Sequence, residues 1–346
     1  MYTNIELQII DIVSVHGNSA SKQIFDLLNG LVSYSTVKRI LNKLGDKNLL
    51  IKIDKGKATK YALSPIFALL KEVDLEEYFT KEIDERSINE NFNLEILSKI
   101  LSKHKAITPN ELTQLQALQA LYKSNIDQLS QKEYIKELER LAIDLSWKSS
   151  QIEGNTYSLL ETERLLIDKQ TAAGKTKEEA IMLLNHKEAI DFIIQHPDYL
   201  SPLSVAKIED IHSILIKDLA VERNLRKGRV GISGTNYKPL DNTYQIKDAL
   251  ENMCKVINEK DEVFEKALLA LVLLSYIQPF VDGNKRTARI VSNAILINNQ
   301  HCPISFRTVD SIVYKKAMLV FYEQNNISAI KNIFIGQFEF AVKTYF

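Results

Sequence analysis

Residues 267–277 read Ala-Leu-Leu-Ala-Leu-Val-Leu-Leu-Ser-Tyr-Ile, an apolar run with no charge and no polar face. It is about half the ~20 residues that a membrane-spanning helix needs, so it predicts a helix buried on all sides and a protein large enough to surround it. The 346-residue chain suffices for two or three domains with a sizeable core. The run ends in Gln278-Pro279-Phe280-Val281-Asp282-Gly283-Asn284, where proline and Asp-Gly-Asn force a loop. A second helix is predicted from about Asn284, with Ile290, Val291, Ala294, Ile295 and Leu296 turned inward.

This helix–loop–helix has the chemistry of an anion site. Backbone N–H groups of Gly283, Asn284 and Lys285 fall at a helix N-terminus, which forms a phosphate cradle. Arg286 and Arg289 are three apart, so both guanidinium groups reach one helix face beside it. Asp282 is the loop's acid and can hold Mg²⁺ together with phosphate oxygens. Taken alone, Asp-Gly-Asn before a helix also reads as an ordinary capped helix.

The longer string 278–289, Gln-Pro-Phe-Val-Asp-Gly-Asn-Lys-Arg-Thr-Ala-Arg, resembles the signature of the Fic family, HPFx[DE]GN[GK]RxxR, at each fixed position but the first. There the family carries its catalytic histidine and this chain carries Gln278. Such proteins mostly move AMP from ATP to a hydroxyl of a target protein. The resemblance implies that Asp282 ligands Mg²⁺, that Asn284 and the loop amides, with Lys285 at the family's glycine-or-lysine position, hold the α-phosphate, that Arg286 contacts the α/β-phosphates and that Arg289 contacts the γ-phosphate. Ser149–Asn155 (Ser-Ser-Gln-Ile-Glu-Gly-Asn) matches the family's inhibitory pattern [S/T]xxxE[G/N]. In that arrangement Glu153, on an inhibitory helix near 140–154, reaches Arg289 and competes with the γ-phosphate. As a bare pattern it is equally a helix ending at Gly154.

Residues 229–239 (Arg-Val-Gly-Ile-Ser-Gly-Thr-Asn-Tyr-Lys-Pro) alternate and then turn, which predicts a β-hairpin. It resembles the flap with which Fic proteins clamp a target segment by strand addition, through Val230, Gly231 and Ile232; the other reading is a plain surface hairpin.

The first 65 residues parse as three short helices and two strands. Ile5, Ile9, Ile10 and Val13 stripe the first helix; Ser19 or Ser21 is expected to cap the second, and Ser33 or Ser35 the third. Residues 49–53 and 59–63 read as strands around a turn at Asp54–Lys57. This is similar to a winged helix-turn-helix, in which Lys38, Arg39 and Lys43 on the third helix and Lys55 and Lys57 in the wing would meet DNA. The alternative is a packing module with a wet basic surface. Between Ser33 and Tyr61 eight Lys/Arg stand against two acids, which tilts the balance to DNA.

The expected organisation is therefore a winged helix over 1–65, an acidic helical linker over 66–114 and a mainly α-helical Fic-type bundle with a hairpin flap over 115–346. Formal net charge is zero, so no global field draws the chain to nucleic acid or membrane. Two distant cysteines, Cys254 and Cys302, argue against a disulfide scaffold and fit a reducing cytoplasm, and the N-terminus does not read as a secretory signal. Expected ligands are ATP and Mg²⁺; expected partners are a protein bearing a Ser, Thr or Tyr hydroxyl, with the chain itself among the candidates, and DNA, with a homodimer suggested by paired half-sites. Glutamine cannot take a proton from the attacking hydroxyl, so weak or absent transfer is expected, and a silent ATP-sensing DNA-binding regulator is the competing reading. A third is a changed reaction that moves phosphate or another nucleotide-derived group. His186, His196 and His212 are expected to be surface or core histidines.

Overall fold

The computed structural model describes residues 3–53 and 59–346. They form a mainly helical protein of two compact units, one comprising residues 1–72 with 324–326, the other the remainder.

In the first unit, helices α1 (Asn4–His16), α2 (Ser21–Leu27) and α3 (Tyr34–Asp46) precede strands β2 (Leu50–Lys52) and β3 (Lys60–Leu63), and α4 (Pro65–Leu70) follows. Strand β1 (Ser19–Ala20) joins them in a sheet ordered β1-β3-β2, antiparallel throughout, with Ser19 opposite Tyr61 and Ile51 opposite Ala62. Ile9, Val13, Ile24, Val37, Leu41, Leu44, Leu50 and Tyr61 close its core. Thr3 and Glu6 form a capping box at α1, and Ser33 caps α3 through the amide of Thr36. The expected serine cap of α2 is corrected: Ala20 occupies the cap position, Ser19 belongs to β1, and the Ser21 hydroxyl bonds Tyr34 instead.

The second unit begins with α5 (Leu75–Tyr78) and a π-helical turn at Ile96–Leu101. It continues through α6 (Pro109–Ile126), α7 (Gln131–Ile152), α8 (Leu159–Asp168), α9 (Lys177–Gln195), α10 (Val205–Leu215) and α11 (Thr243–Glu259). Then come α12 (Val263–Ile277), α13 (Asn284–Asn298), α14 (Ser311–Gln324) and α15 (Ser328–Thr344). Each residue from Ala267 to Ile277 is 0% exposed, so α12 is the axis around which the others pack. At about 1.5–3 kcal/mol for each large apolar side chain removed from water, this helix is a dominant source of cohesion. Its burial fixes where the loop after it emerges.

One expectation needs correction. Residues 229–239 form no hairpin: they contain no strand, and Lys238 makes a single parallel bridge to Asn91. Within the acidic stretch 71–90, Arg86 is buried against Glu323, and the Lys238 ammonium donates to the Glu90 carboxylate at 2.7 Å.

Candidate functional site

The buried α12 ends at Gln278, whose backbone is left-handed (φ 51°, ψ 59°). That conformation turns the chain sharply into Pro279 and Phe280. Phe280 is fully buried and stacks on His212 of α10 with centroids 3.6 Å apart. The His212 ring donates from Nε2 to the Asp282 carbonyl at 2.9 Å. Gly283, at φ 81°, caps α13, and a Cβ there would lie 3.3 Å from the His212 ring, so both backbone and space require glycine. The loop is thereby held with the first amides of α13, which have no intrahelical acceptor, directed outward.

Asn284 fastens the loop from within. Its Oδ1 accepts from Phe280 N at 2.8 Å, and its Nδ2 donates to Phe280 O at 2.9 Å and to Gln278 Oε1 at 3.0 Å. Gln278 Nε2 donates to Ser275 O at 2.6 Å. The amide is thus tied at both ends, to Ser275 of α12 and to Asn284, in a role that needs no proton transfer.

Two adjoining cavities open here. The smaller, roughly 150 Å³, is lined by Glu153, Val230, Gly231, Gln278, Val281, Asp282, Gly283, Asn284, Lys285 and Arg286. The larger, roughly 330 Å³, shares Glu153, Gly231, Gln278 and Lys285 with it and adds Ile152, Ile232, Ser233, Tyr314, Lys315, Met318, Leu319 and Tyr322. The first is an anion-sized, cationic recess. The second has apolar and aromatic walls that suit a flat ring.

Charge is concentrated around Glu153, the last residue before the α7 helix breaks at Gly154 (φ 101°). Its carboxylate contacts Arg289 Nη2 at 2.5 Å and lies 3.5 Å from Lys285 Nζ. Burial pushes the Glu153 carboxyl up, but Arg289, Lys285 and Arg286 outweigh it and hold the group below the usual carboxylate range. Arg289 is fully buried; it also donates from Nε to Ser149 Oγ at 2.8 Å and from Nη2 to Ser149 O at 3.1 Å, and its guanidinium lies 5.3 Å from the Tyr314 ring. Arg286 is 1% exposed and paired to Asp282 at 2.9 Å, while its Nε and Nη1 are buried without a protein acceptor. An orphaned cation facing a cavity fits a phosphate.

The sequence-selected residues therefore converge. Glu153, Val230, Gly231, Ile232, Gln278, Asp282, Gly283, Asn284, Lys285 and Arg286 line the two cavities, with Ser149 and Arg289 directly behind Glu153. Asp282 is 61% exposed at its side chain, and no group of three or more His, Cys, Asp or Glu that could hold a metal exists among the described residues. A Mg²⁺ bound here would thus need ligand oxygens from phosphate as well as Asp282, which fits a hard cation that keeps few protein ligands.

Sequence reading expected His186 and His196 as surface or core histidines and overlooked Arg226. His186 is fully buried with Nε2 2.7 Å from Ser149 Oγ, whereas His196 is exposed. Burial, with Arg289 and Arg286 adding to it, keeps His186 neutral, so the Ser149 hydroxyl, already accepting from Arg289, donates to it. Its register with Leu183, Ile190 and Ile193 on α9 was a usable signal for an inward position. Arg226, 1% exposed, donates to Gln278 O at 2.6 Å and was signalled by nothing local.

In the first unit Lys38 and Arg39 of α3 are exposed, and Lys38 lies over the Tyr34 ring. Lys43 is exposed too but paired at 2.6 Å with Glu6, whose carboxyl that bond holds down to about 2. Lys55 and Lys57 lie outside the described residues. No helix among those residues is long and apolar enough to cross a membrane.

Comparison with known proteins agrees with this geometry. Residues 202–296 match the Fic/DOC family, and residues 2–120 match the penicillinase repressor family. The chain is 30% identical over 172 residues to the protein adenylyltransferase Fic of Nematostella vectensis, covering 47% of this chain and 39% of that protein. It is 31% identical over 113 residues to a probable protein adenylyltransferase of Aquifex aeolicus, covering 32% and 35%. The match thus spans well under half the length of these relatives. Among solved structures, a Fic-1 fragment from C. elegans superposes with a TM-score of 0.61 at 15% identity, covering 99% of this chain and 97% of that one. A Fic-domain signalling protein from Bacteroides thetaiotaomicron superposes at 0.58 and 18% identity, covering 67% and 95%. At these identities the superpositions speak for the fold.

Proposed function

We propose that this chain, whose residues 202–296 match the Fic/DOC family and residues 2–120 the penicillinase repressor family, binds ATP with Mg²⁺ and is built to transfer AMP to a protein hydroxyl, with Glu153 holding it off and Gln278 leaving it weak or silent. The observation that carries this reading is the Glu153–Arg289 contact, a carboxylate seated 2.5 Å from a fully buried arginine at the mouth of a phosphate-sized recess.

The roles follow from that geometry. The α13 N-terminus, Lys285 and the orphaned nitrogens of Arg286 donate to phosphate oxygens. Asp282 with those oxygens would hold Mg²⁺, which when bound neutralises phosphate charge. The wall of Ile152, Met318, Leu319, Tyr314 and Tyr322 receives the base. Residues Val230–Ile232 flank Gln278 and present the hydroxyl-bearing segment. Attack on the α-phosphate requires the hydroxyl to lose its proton. Gln278 orients but does not accept it, which forfeits about 10²–10⁴-fold, whereas positioning and electrostatics remain. A carboxylate and a γ-phosphate compete for Arg289, so removing Glu153 opens the productive pose.

The repressor-type match and an amide engaged at both ends, by Ser275 and Asn284, favour a second reading, an ATP-sensing DNA-binding regulator. The deciding experiment follows label from α-labelled ATP onto the full chain with Glu153→Gly, Gln278→His and both. Position 278 is left-handed, a conformation in which histidine is several-fold enriched, so the substitution fits the backbone. Strong labelling of the double variant is expected, with weaker labelling of Glu153→Gly alone. Bound ATP without label in any variant would sink the transferase reading for self-modification and favour the sensor.

A further inference from the structure

The segment expected to clamp a target is not a self-supporting hairpin, so something else must fix it. Two buried arginines do so from opposite sides. On the inner side Arg226 donates to Gly228 O at 2.6 Å, to Leu240 O and to Gln278 O at 2.6 Å, which ties both ends of the segment to the loop of residue 278. On the outer side stands Arg86, far from the Fic/DOC match in sequence. Its Nη1 donates to both carboxylate oxygens of Glu323 at 3.0 and 3.2 Å, and its Nη2 donates to Gly234 O at 2.7 Å. The pair is 3% and 0% exposed; Tyr78 OH donates to the same carboxylate at 2.7 Å, and the guanidinium lies 4.9 Å from the Phe79 ring.

The grip continues along the segment. Asp84 accepts from Asn236 at 3.2 Å, and Glu90 accepts from the backbone N–H of Lys238 at 2.7 Å. Residues 230–233, between the two arginine anchors, line the cavities beside Gln278. Gly234 itself is in left-handed backbone, with its α-carbon hydrogen side facing Leu319 of the larger cavity's wall. A shift of the strap over residues 78–91 would therefore be felt at the site, most directly through the Gly234 carbonyl that adjoins residues 230–233.

We propose that Arg86, held by Glu323, is a positioning residue that clasps the turn at Gly234 and so sets where residues 230–233 present a target hydroxyl to the nucleotide. The inference rests on reading 229–239 as the target-clamping segment. It assigns to the stretch following the first unit a part in the site's geometry. The fork of a guanidinium is required, since one group must serve a carboxylate and a carbonyl at once. Arg86→Lys keeps a cation for Glu323 but cannot hold both partners.

The test measures amide hydrogen exchange in the full chain, parent against Arg86→Lys, with Glu323→Gln as a second variant should the first not fold. Exchange over residues 230–236 is expected to rise by about tenfold on loss of a charge-assisted bond, with α12 and α13 unchanged. In the Glu153→Gly, Gln278→His background the maximal labelling rate should fall while the KM for ATP stays within about twofold, because the phosphate cradle is untouched. Unchanged exchange at 230–236, or a rise spread evenly over α12 and α13, would overturn the clasp. If that background takes no label, the transferase reading fails, yet the exchange result still decides whether Arg86 fixes the segment.

Discussion

Glu153 and Gln278 act on the site through opposite kinds of chemistry, one as a fixed charge and one as a fixed amide. Glu153 sits below the usual carboxylate range because the arginines and Lys285 outweigh its burial. A depressed folded value gives stabilisation that is present above the unfolded pKa, about 4.3, and lost as pH falls through the folded one. The Glu153–Arg289 contact is therefore expected to persist unchanged from pH 5 to 8, a window set by that direction. The ratio of labelling between Glu153→Gly and parent should be flat across that window, and the difference in melting temperature between parent and Glu153→Gln should vanish only in stronger acid. A ratio that collapses near pH 6 would show that a different group governs release. Much of this site was legible: proline, glycine and the arginines each announce a backbone or charge requirement within a dozen positions. The contacts made by His186 and Arg226 were not, because their partners Ser149 and Gln278 lie far along the chain.

Elements were legible where one physical cause sufficed. The run 267–277 had to be a buried helix, and α12 is one. The alternation at 229–233 misled because no strand pairs with it; the positions flanking it, Gly228, Gly234, Lys238 and Leu240, are held instead by Arg226, Arg86 and Glu90 from elsewhere in the chain. Helix α3 shows the same division between local pattern and distant partner. All three of its sequence-selected cations are exposed, but only Lys43 is paired with Glu6. On the DNA-binding reading, Lys38→Ala with Arg39→Ala should lower the slope of log affinity against log salt by about 2, one per phosphate contact. Lys43→Ala should instead lower the melting temperature of the first unit, since it strands a buried carboxylate. Titration of duplex DNA by fluorescence anisotropy at several salt concentrations measures the first effect and thermal circular dichroism the second. An unchanged slope in the double variant would make the basic face of α3 a solvated surface.

The whole molecule joins two units whose proposed ligands differ, DNA for one and ATP for the other, and the enzyme and sensor readings diverge on how these ligands speak to each other. Binding coupling is reciprocal: if ATP alters DNA affinity by some factor, DNA alters ATP affinity by the same factor. A sensor requires that factor to be large. A transferase that carries a DNA-binding module does not, because DNA can place it near targets without touching the nucleotide. One path along the chain leads from the first unit into residues 78–91, which grip the segment at Gly234 and not the phosphate loop at Gly283–Arg286. Coupling on this path falls on presentation of the target hydroxyl. The expected outcome is an ATP dissociation constant that changes by less than about twofold on saturation with duplex DNA, while the labelling rate of the Glu153→Gly, Gln278→His chain changes by more. Isothermal titration of ATP with and without DNA, paired with the labelling assay, separates the two. A shift in ATP affinity of about tenfold or more, worth roughly 1.4 kcal/mol, would place the coupling in the nucleotide site itself and turn the balance to the sensor.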